Sequence, residues 1–182
     1  LDNAKSAVTG GVEFEARVGF SESTSNVLKN LTAFGNLAVI YSRVDQSNFK
    51  VTQTSVDSTI YKTPLQGQSP YVLNLGLTYA TSKDLTFTLA ANTYGRRIAL
   101  VGTNEAYFVY EDPRIVIDGS VTKVFNKKWT TKLTWGDILA QDLIFYYDLN
   151  KDGGYNEGKD EIFEKYRRGS TISVSVGYNF SK

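Results

Sequence analysis

The sequence predicts an all-β chain folded as an antiparallel transmembrane β-barrel segment of about 7–8 strands, and three observations carry that expectation. Hydrophobicity alternates with a period of two in seven runs, and helical periodicity persists nowhere beyond a turn or two. The clearest runs match the roughly 9–11 residues of a membrane-crossing strand. The connections between the runs alternate strictly between short and long.

In the first run Val12, Phe14, Ala16, Val18 and Phe20 share one face, with Glu13, Glu15 and Arg17 between them. The second, 31–41, groups Leu31, Ala33, Leu37, Val39 and Tyr41, although Phe34 and Ile40 blur its pattern. The third and fourth form a hairpin over 68–94, around which the rest is arranged. There Tyr71, Leu73, Leu75, Leu77 and Tyr79 oppose Val72, Asn74, Gly76, Thr78 and Ala80. After a polar turn, Leu85, Phe87, Leu89 and Ala91 oppose Thr86, Thr88, Ala90 and Asn92. The fifth run spans 115–125. The sixth, 129–135, alternates Trp129, Thr131, Leu133 and Trp135 against Thr130, Lys132 and Thr134. In the last, 171–180, Ile172, Val174, Val176, Tyr178 and Phe180 oppose Ser173, Ser175, Gly177 and Asn179.

Segments 21–30, 81–84 and 126–128 are the short connections, and 43–67, 95–114 and 139–170 are the long ones. A bacterial barrel has short periplasmic turns and long outer loops. On that rule the chain begins outside and ends at the periplasmic face. Seven is odd, whereas single-chain bacterial barrels have even strand numbers. Either a strand is hidden in 49–61 or 105–110, or the chain belongs to a larger barrel.

Composition removes several classes of function. With 20 basic and 19 acidic side chains the formal charge is +1, so nothing recommends nucleic acid as a partner. The absence of cysteine excludes disulfides and thiolate metal sites, and the absence of histidine excludes Ser–His and Asp–His catalysis. No residue stands out as a catalyst, and the expectation is that the chain is not an enzyme. Twelve Tyr, ten Phe and two Trp against three Pro favour long strands. A slightly hydrophilic mean does not oppose a barrel, because its strands alternate apolar-out and polar-in. Leu1 opens the chain with neither an initiator Met nor an apolar leader, so an export signal is expected to lie outside this segment.

Four groups of residues are candidates for a site. Asp148, Asn150 and Asp152, followed by Gly153, reproduce the first half of a calcium loop, and Asn156 continues the set of oxygen ligands. The twelfth position is Lys159, so Asp160 or Glu161 would have to close a variant Ca2+ site within 148–161; the rival reading is a turn-rich surface loop. Glu13 and Glu15, like Asp118 and Lys132, read as water-facing interior charges rather than as an acid–base pair. Arg96, Arg97, Arg167 and Arg168 read as solvated rim charge, with an anionic headgroup or substrate as the alternative. Tyr41, Tyr71 and Trp135 are expected at the outer lipid interface, and Phe20, Tyr79, Phe125, Trp129, Tyr178 and Phe180 at the periplasmic one.

The run QGQSPYVLNLGL at 66–77 resembles the C-terminal barrel region of a Bacteroidetes-type TonB-dependent receptor. GVEFE at 11–15, YGRRI at 94–98, EDPR at 111–114, LAQD at 139–142, YDLNKDG at 147–153 and RRGSTI at 167–172 follow in that family's order and cover nearly the whole chain. The resemblance implies a barrel of about 22 strands, plugged by an N-terminal domain. It implies uptake of scarce nutrients such as glycans or metal chelates across the bacterial outer membrane, with energy delivered through TonB. Residues 1–182 have no plug domain, so they would be the C-terminal portion of such a barrel. The implied partners are outer-membrane lipid, the rest of the barrel and its plug, TonB through the N-terminal part, and a surface lipoprotein. The end of the chain resembles the signal read by barrel-assembly machinery, with Tyr178 and Phe180 in the aromatic positions, although Ser181 and Lys182 follow. Two other readings stay open: a small stand-alone outer-membrane barrel serving as an accessory subunit of an envelope complex, and a secreted β-sandwich binding carbohydrate through its aromatic residues.

Overall fold

A computed structural model describes residues 6–51, 56–102 and 107–180, with side chains described outside 46–51 and 56–61. Ser181, Lys182 and the first two residues of the segment 105–110 lie outside the described residues. The described chain is all-β. Its strands are β1 (Ser6–Gly19), β2 (Leu31–Val51), β3 (Val56–Thr63), β4 (Tyr71–Ala80), β5 (Leu85–Tyr94), β6 (Arg97–Leu100), β7 (Val109–Glu111), β8 (Ile115–Phe125), β9 (Trp129–Gly136), β10 (Leu143–Tyr147), β11 (Glu161–Tyr166) and β12 (Thr171–Tyr178).

Two antiparallel sheets result. The larger follows the order β1-β2-β4-β5-β8-β9-β12, with β3 attached to β2, and the smaller follows β11-β10-β7-β6. The seven alternating runs are the seven strands of the larger path. Tight turns fix their neighbours. Asn126 (φ 50°) and Lys127 (φ 57°) both take the left-handed conformation of a type I′ turn, closed by Lys128 N–H on the Phe125 carbonyl at 3.0 Å. Thr81 N–H on the Leu85 carbonyl at 2.8 Å closes the β4–β5 hairpin, with Asp84 at φ 56°.

The register keeps each face homogeneous. Val18, Ala33, Leu77, Leu89, Gly119, Trp135 and Ile172 lie in one cross-strand row. Thr32, Thr78, Thr88, Ser120, Thr134 and Ser173 form the row beside it on the other face. On that polar face, Asn92 donates to Asn74 Oδ1 (2.7 Å), Asn74 to Asn36 Oδ1 (3.4 Å), and Asn36 to Glu13. Phe34, which blurs the pattern of β2, lies on the polar face directly over Gly76, where a Cβ would run into the ring. The exception is thus a ring-on-glycine pair across two strands.

The small sheet corrects the picture of plain long loops. Segments 95–114 and 139–170 carry β6, β7, β10 and β11, and the buried apolar side chains Ile98, Phe108, Val109, Leu143 and Tyr146 lie in or beside these strands. Among the described side chains of the larger sheet only Val44, in the far half of β2, joins that list. Of the hidden-strand candidates, 56–61 fall in β3 and 109–110 in β7, while 49–51 continue β2 and 52–55 lie outside the described residues. Neither β3 nor β7 extends the seven-strand path, because β3 pairs the far half of β2 and β7 belongs to the small sheet. Among the described residues the apolar side chains of the large sheet, such as Leu75, Leu89 and Val174, stay about half exposed or more, so the small sheet does not cover them as the second layer of a sandwich would.

Candidate functional site

Two regions carry the chemistry. The first is the apolar face of the large sheet, which has no cover. Val12, Phe14, Leu75, Leu77, Phe87, Leu89, Leu133, Ile172 and Val174 are all exposed, Ile172 by 71%. These side chains form a contiguous apolar face across seven strands, whereas the largest apolar patch on a typical monomer is about 300–600 Å².

The aromatic residues border that face. Trp129 and Tyr178 meet at 4.7 Å between ring centres, and Phe180 stands 4.7 Å from Tyr178, at the end with the short turns. Tyr79 lies at that end of β4 and Tyr71 at the other, while Tyr41 lies two residues beyond Val39, the register partner of Tyr71. Their positions slide across the sheet. Trp135 is in register with Gly119, Leu89 and Leu77, and so stands six residues down β4 from Tyr71. Tyr79 is in register with Phe87 and Val121, four residues short of Phe125, the partner of Trp129; Tyr178 pairs with Trp129. From Tyr41 to Trp135 the band therefore shifts eight residues in four strand steps, and from Tyr79 to Tyr178 four residues in four steps.

The second region is the small sheet at the long-connection end, held by ion pairs. Arg96 Nη1 lies 2.6 Å from Asp148 Oδ2, and its guanidinium sits 3.7 Å above the Tyr110 ring. Glu111 accepts from the Tyr94 hydroxyl at 2.6 Å and from Arg97 Nε at 2.7 Å, while Arg97 covers the Tyr94 ring. Arg114 pairs with Asp137 at 2.7 Å, and the Asp137 N–H donates to Asp118 Oδ1 at 2.8 Å, tying this end to β8. Asp142 takes Arg167 at 2.7 Å and Lys165 at 3.5 Å. Of the four rim arginines named from sequence, Arg96, Arg97 and Arg167 are therefore neutralised, and Arg168 is in no ion pair among the described residues. Burial pushes the Tyr146 hydroxyl up to about 12. Burial also raises the Asp112 carboxyl, against the opposing Tyr155 N–H and the charge of Arg96. Polar clefts open between these groups. One of about 240 Å³ is lined by Arg96, Tyr110, Asp148, Lys151 and Asp152, and another of about 390 Å³ by Asp112, Arg114, Gln141, Asp142 and Arg167.

Residues 148–161 turn inward on themselves. Asp148 Oδ2 receives Arg96 and the Gly153 N–H (3.2 Å). Asn150 Nδ2 donates to Asp152 Oδ2 at 2.9 Å, and so does Asn156 Nδ2 at 2.7 Å. Both Asp160 oxygens accept backbone N–H groups, from Leu149 at 3.1 Å and Asn156 at 2.8 Å. Among the described residues no three acidic groups converge as a metal cage. Hydrogen-bond donors occupy Asp148 Oδ2 and both oxygens of Asp152 and of Asp160, while Asp148 Oδ1 is buried without a partner. With the Arg96 guanidinium against Asp148, the arrangement does not fit calcium. A calorimetric titration of the folded protein with calcium is expected to give no saturable heat. Binding at millimolar or tighter affinity would mean that Arg96 leaves Asp148.

Glu13 and Glu15 lie on the polar face of β1, with Glu13 accepting from Asn36, and no nucleophile stands beside them. Sequence reasoning missed the Arg96–Asp148 and Arg97–Glu111 pairs, because 52 and 14 residues separate the partners and no spacing motif links them. Comparison with protein-family models, curated proteins and solved structures finds no match.

Proposed function

We propose that this chain is the C-terminal part of the wall of a TonB-dependent outer-membrane receptor, with the small sheet among the outer elements that meet the nutrient. The observation that carries the membrane half of this reading is the slide of the aromatic band. It averages about one and a half residues per strand. At roughly 3.3 Å per residue and about 4.8 Å between strands, the band is inclined by about 45° to the rungs of the ladder. Strands crossing a bilayer in a barrel tilt by about the same angle, so the band would lie level in a membrane. The motifs from GVEFE to RRGSTI support the receptor half.

Strand direction favours this reading over a stand-alone barrel. Six antiparallel pairings lead from β1 to β12, so the two edge strands run parallel to each other. They cannot zip together in an antiparallel wall, and lipid cannot satisfy their unpaired backbone groups. An odd number of further strands must intervene, as in an even-stranded barrel of about 22. Energy would then enter through a plug and TonB, a surface lipoprotein could cover the outer end, and no catalytic role is assigned.

Fractionation of cells expressing the complete polypeptide is expected to place it in the outer membrane, with gel mobility that changes on boiling. Recovery as a folded, detergent-free soluble monomer would sink the membrane reading. A complete reading frame without a plug domain would sink the receptor reading alone.

A further inference from the structure

We infer that the short-turn rim of the large sheet is a docking surface for anionic phospholipid, holding the headgroup on lysines and one acyl chain in an adjacent apolar depression. This rests on the membrane reading above and adds to it a lipid preference at one end of the wall.

Lysines gather at this rim. Lys83 lies in the β4–β5 turn and Lys127 and Lys128 lie in the β8–β9 turn, all exposed. Lys123 stands near the end of β8, on the apolar face, in register with Leu85 and Thr131. Among the described residues none of the four is in an ion pair; at the opposite end Arg43, Arg96, Arg97, Arg114, Lys165 and Arg167 are paired, and Lys151 and Arg168 are not. In the three short connections the acids are Glu22 and Asp84. Lys123 shows how the rim is wetted: its stem follows the apolar face while its ammonium reaches back to the Lys83 carbonyl, 5.7 Å from the Phe125 ring centre. An amine on a greasy stem behaves this way where hydrocarbon gives way to headgroups.

Beside Lys123 the apolar face dips. A depression of about 410 Å³ is lined by Tyr79, Phe87, Val121, Leu133 and Trp135, with its floor at Gly119. Leu85 and Lys123 occupy the row next to that of Phe87 and Val121. A positive rim and an apolar trough thus adjoin, with an aromatic border running along them. Free phosphate would use only the first feature and a neutral lipid only the second. An anionic phospholipid uses both, and lysines near a bilayer surface attract such headgroups.

The test compares spin-labelled phosphatidylglycerol and phosphatidylcholine at the complete protein reconstituted in phosphatidylcholine bilayers. Wild type is expected to restrict the anionic probe more than the neutral one. Replacing Lys83, Lys123, Lys127 and Lys128 by Gln should remove about half or more of that preference, and K127Q/K128Q alone should remove part. K132Q, on the polar face, should leave it unchanged. Equal restriction of both probes by wild type, or a preference untouched by the quadruple substitution, would overturn the inference. So would displacement of the anionic probe by inorganic phosphate at constant ionic strength, which would indicate a phosphate site. If neither probe is restricted, the membrane reading falls with it; if both are restricted equally, only the lipid preference does.

Discussion

Leu75→Arg is expected to destabilise the complete protein in a bilayer by about 2–4 kcal/mol, the cost of a cation on the lipid face of a barrel near mid-membrane. Leu75 is the middle residue of the apolar series on β4, half exposed, in register with Gly35 and Ala91. The control is Thr86→Arg on the opposite face of β5, which should change stability by no more than about 1 kcal/mol. Denaturant titration in lipid vesicles reads both. In water the same exposed leucine would accept arginine with little effect, within roughly 0.5 kcal/mol. A neutral or stabilising Leu75→Arg would therefore reject lipid as the solvent of this face, whatever the fate of the receptor assignment.

Arg96→Ala should cost about 3–5 kcal/mol of local stability in the small sheet, because it leaves a buried carboxylate without its counter-ion. The Asp148 side chain is only 6% exposed, and once Arg96 is gone Oδ2 keeps only the Gly153 N–H. The substitution also uncovers the Tyr110 ring on which the guanidinium lies. Asp148→Asn should cost less, about 1–2 kcal/mol, since Arg96 can turn to water. Combining the two should recover part of the loss, which a double-mutant cycle would register as coupling. Hydrogen exchange across 143–166 is the suitable measurement, because these strands pair within the small sheet and the separately paired large sheet should keep its protection. Equal loss of protection in both sheets would show that they unfold as one unit.

The two outcomes bear on parts of the chain that differ in how far their sequence reveals them. All seven strands of the large sheet's main path were legible because one face is apolar and the other polar, and a period of two records that choice residue by residue. Even Phe34, the misfit, is explained by Gly76 opposite it. The small sheet left no such record. Its strands are three to six residues long, too short for a period to show. The side chains that bury together, such as Ile98, Phe108 and Tyr146, come from two connections separated by two strands of the large sheet. The loop 148–161 resembled a calcium site because spacing displays ligand types but not the donors, above all Arg96, that reach the same oxygens from elsewhere.

The sequence by itself determined which segments form the seven strands of the large sheet, which face of each is apolar, and where the aromatic residues fall along them. These are local properties, written within ten residues of one another. Only the tertiary structure decided how the strands are staggered, that β1 and β12 run parallel and cannot meet, and that Asp148 is held by Arg96. Each of those depends on hydrogen bonds, burial or charge pairing between residues far apart in the chain, where no local pattern favours one partner over another.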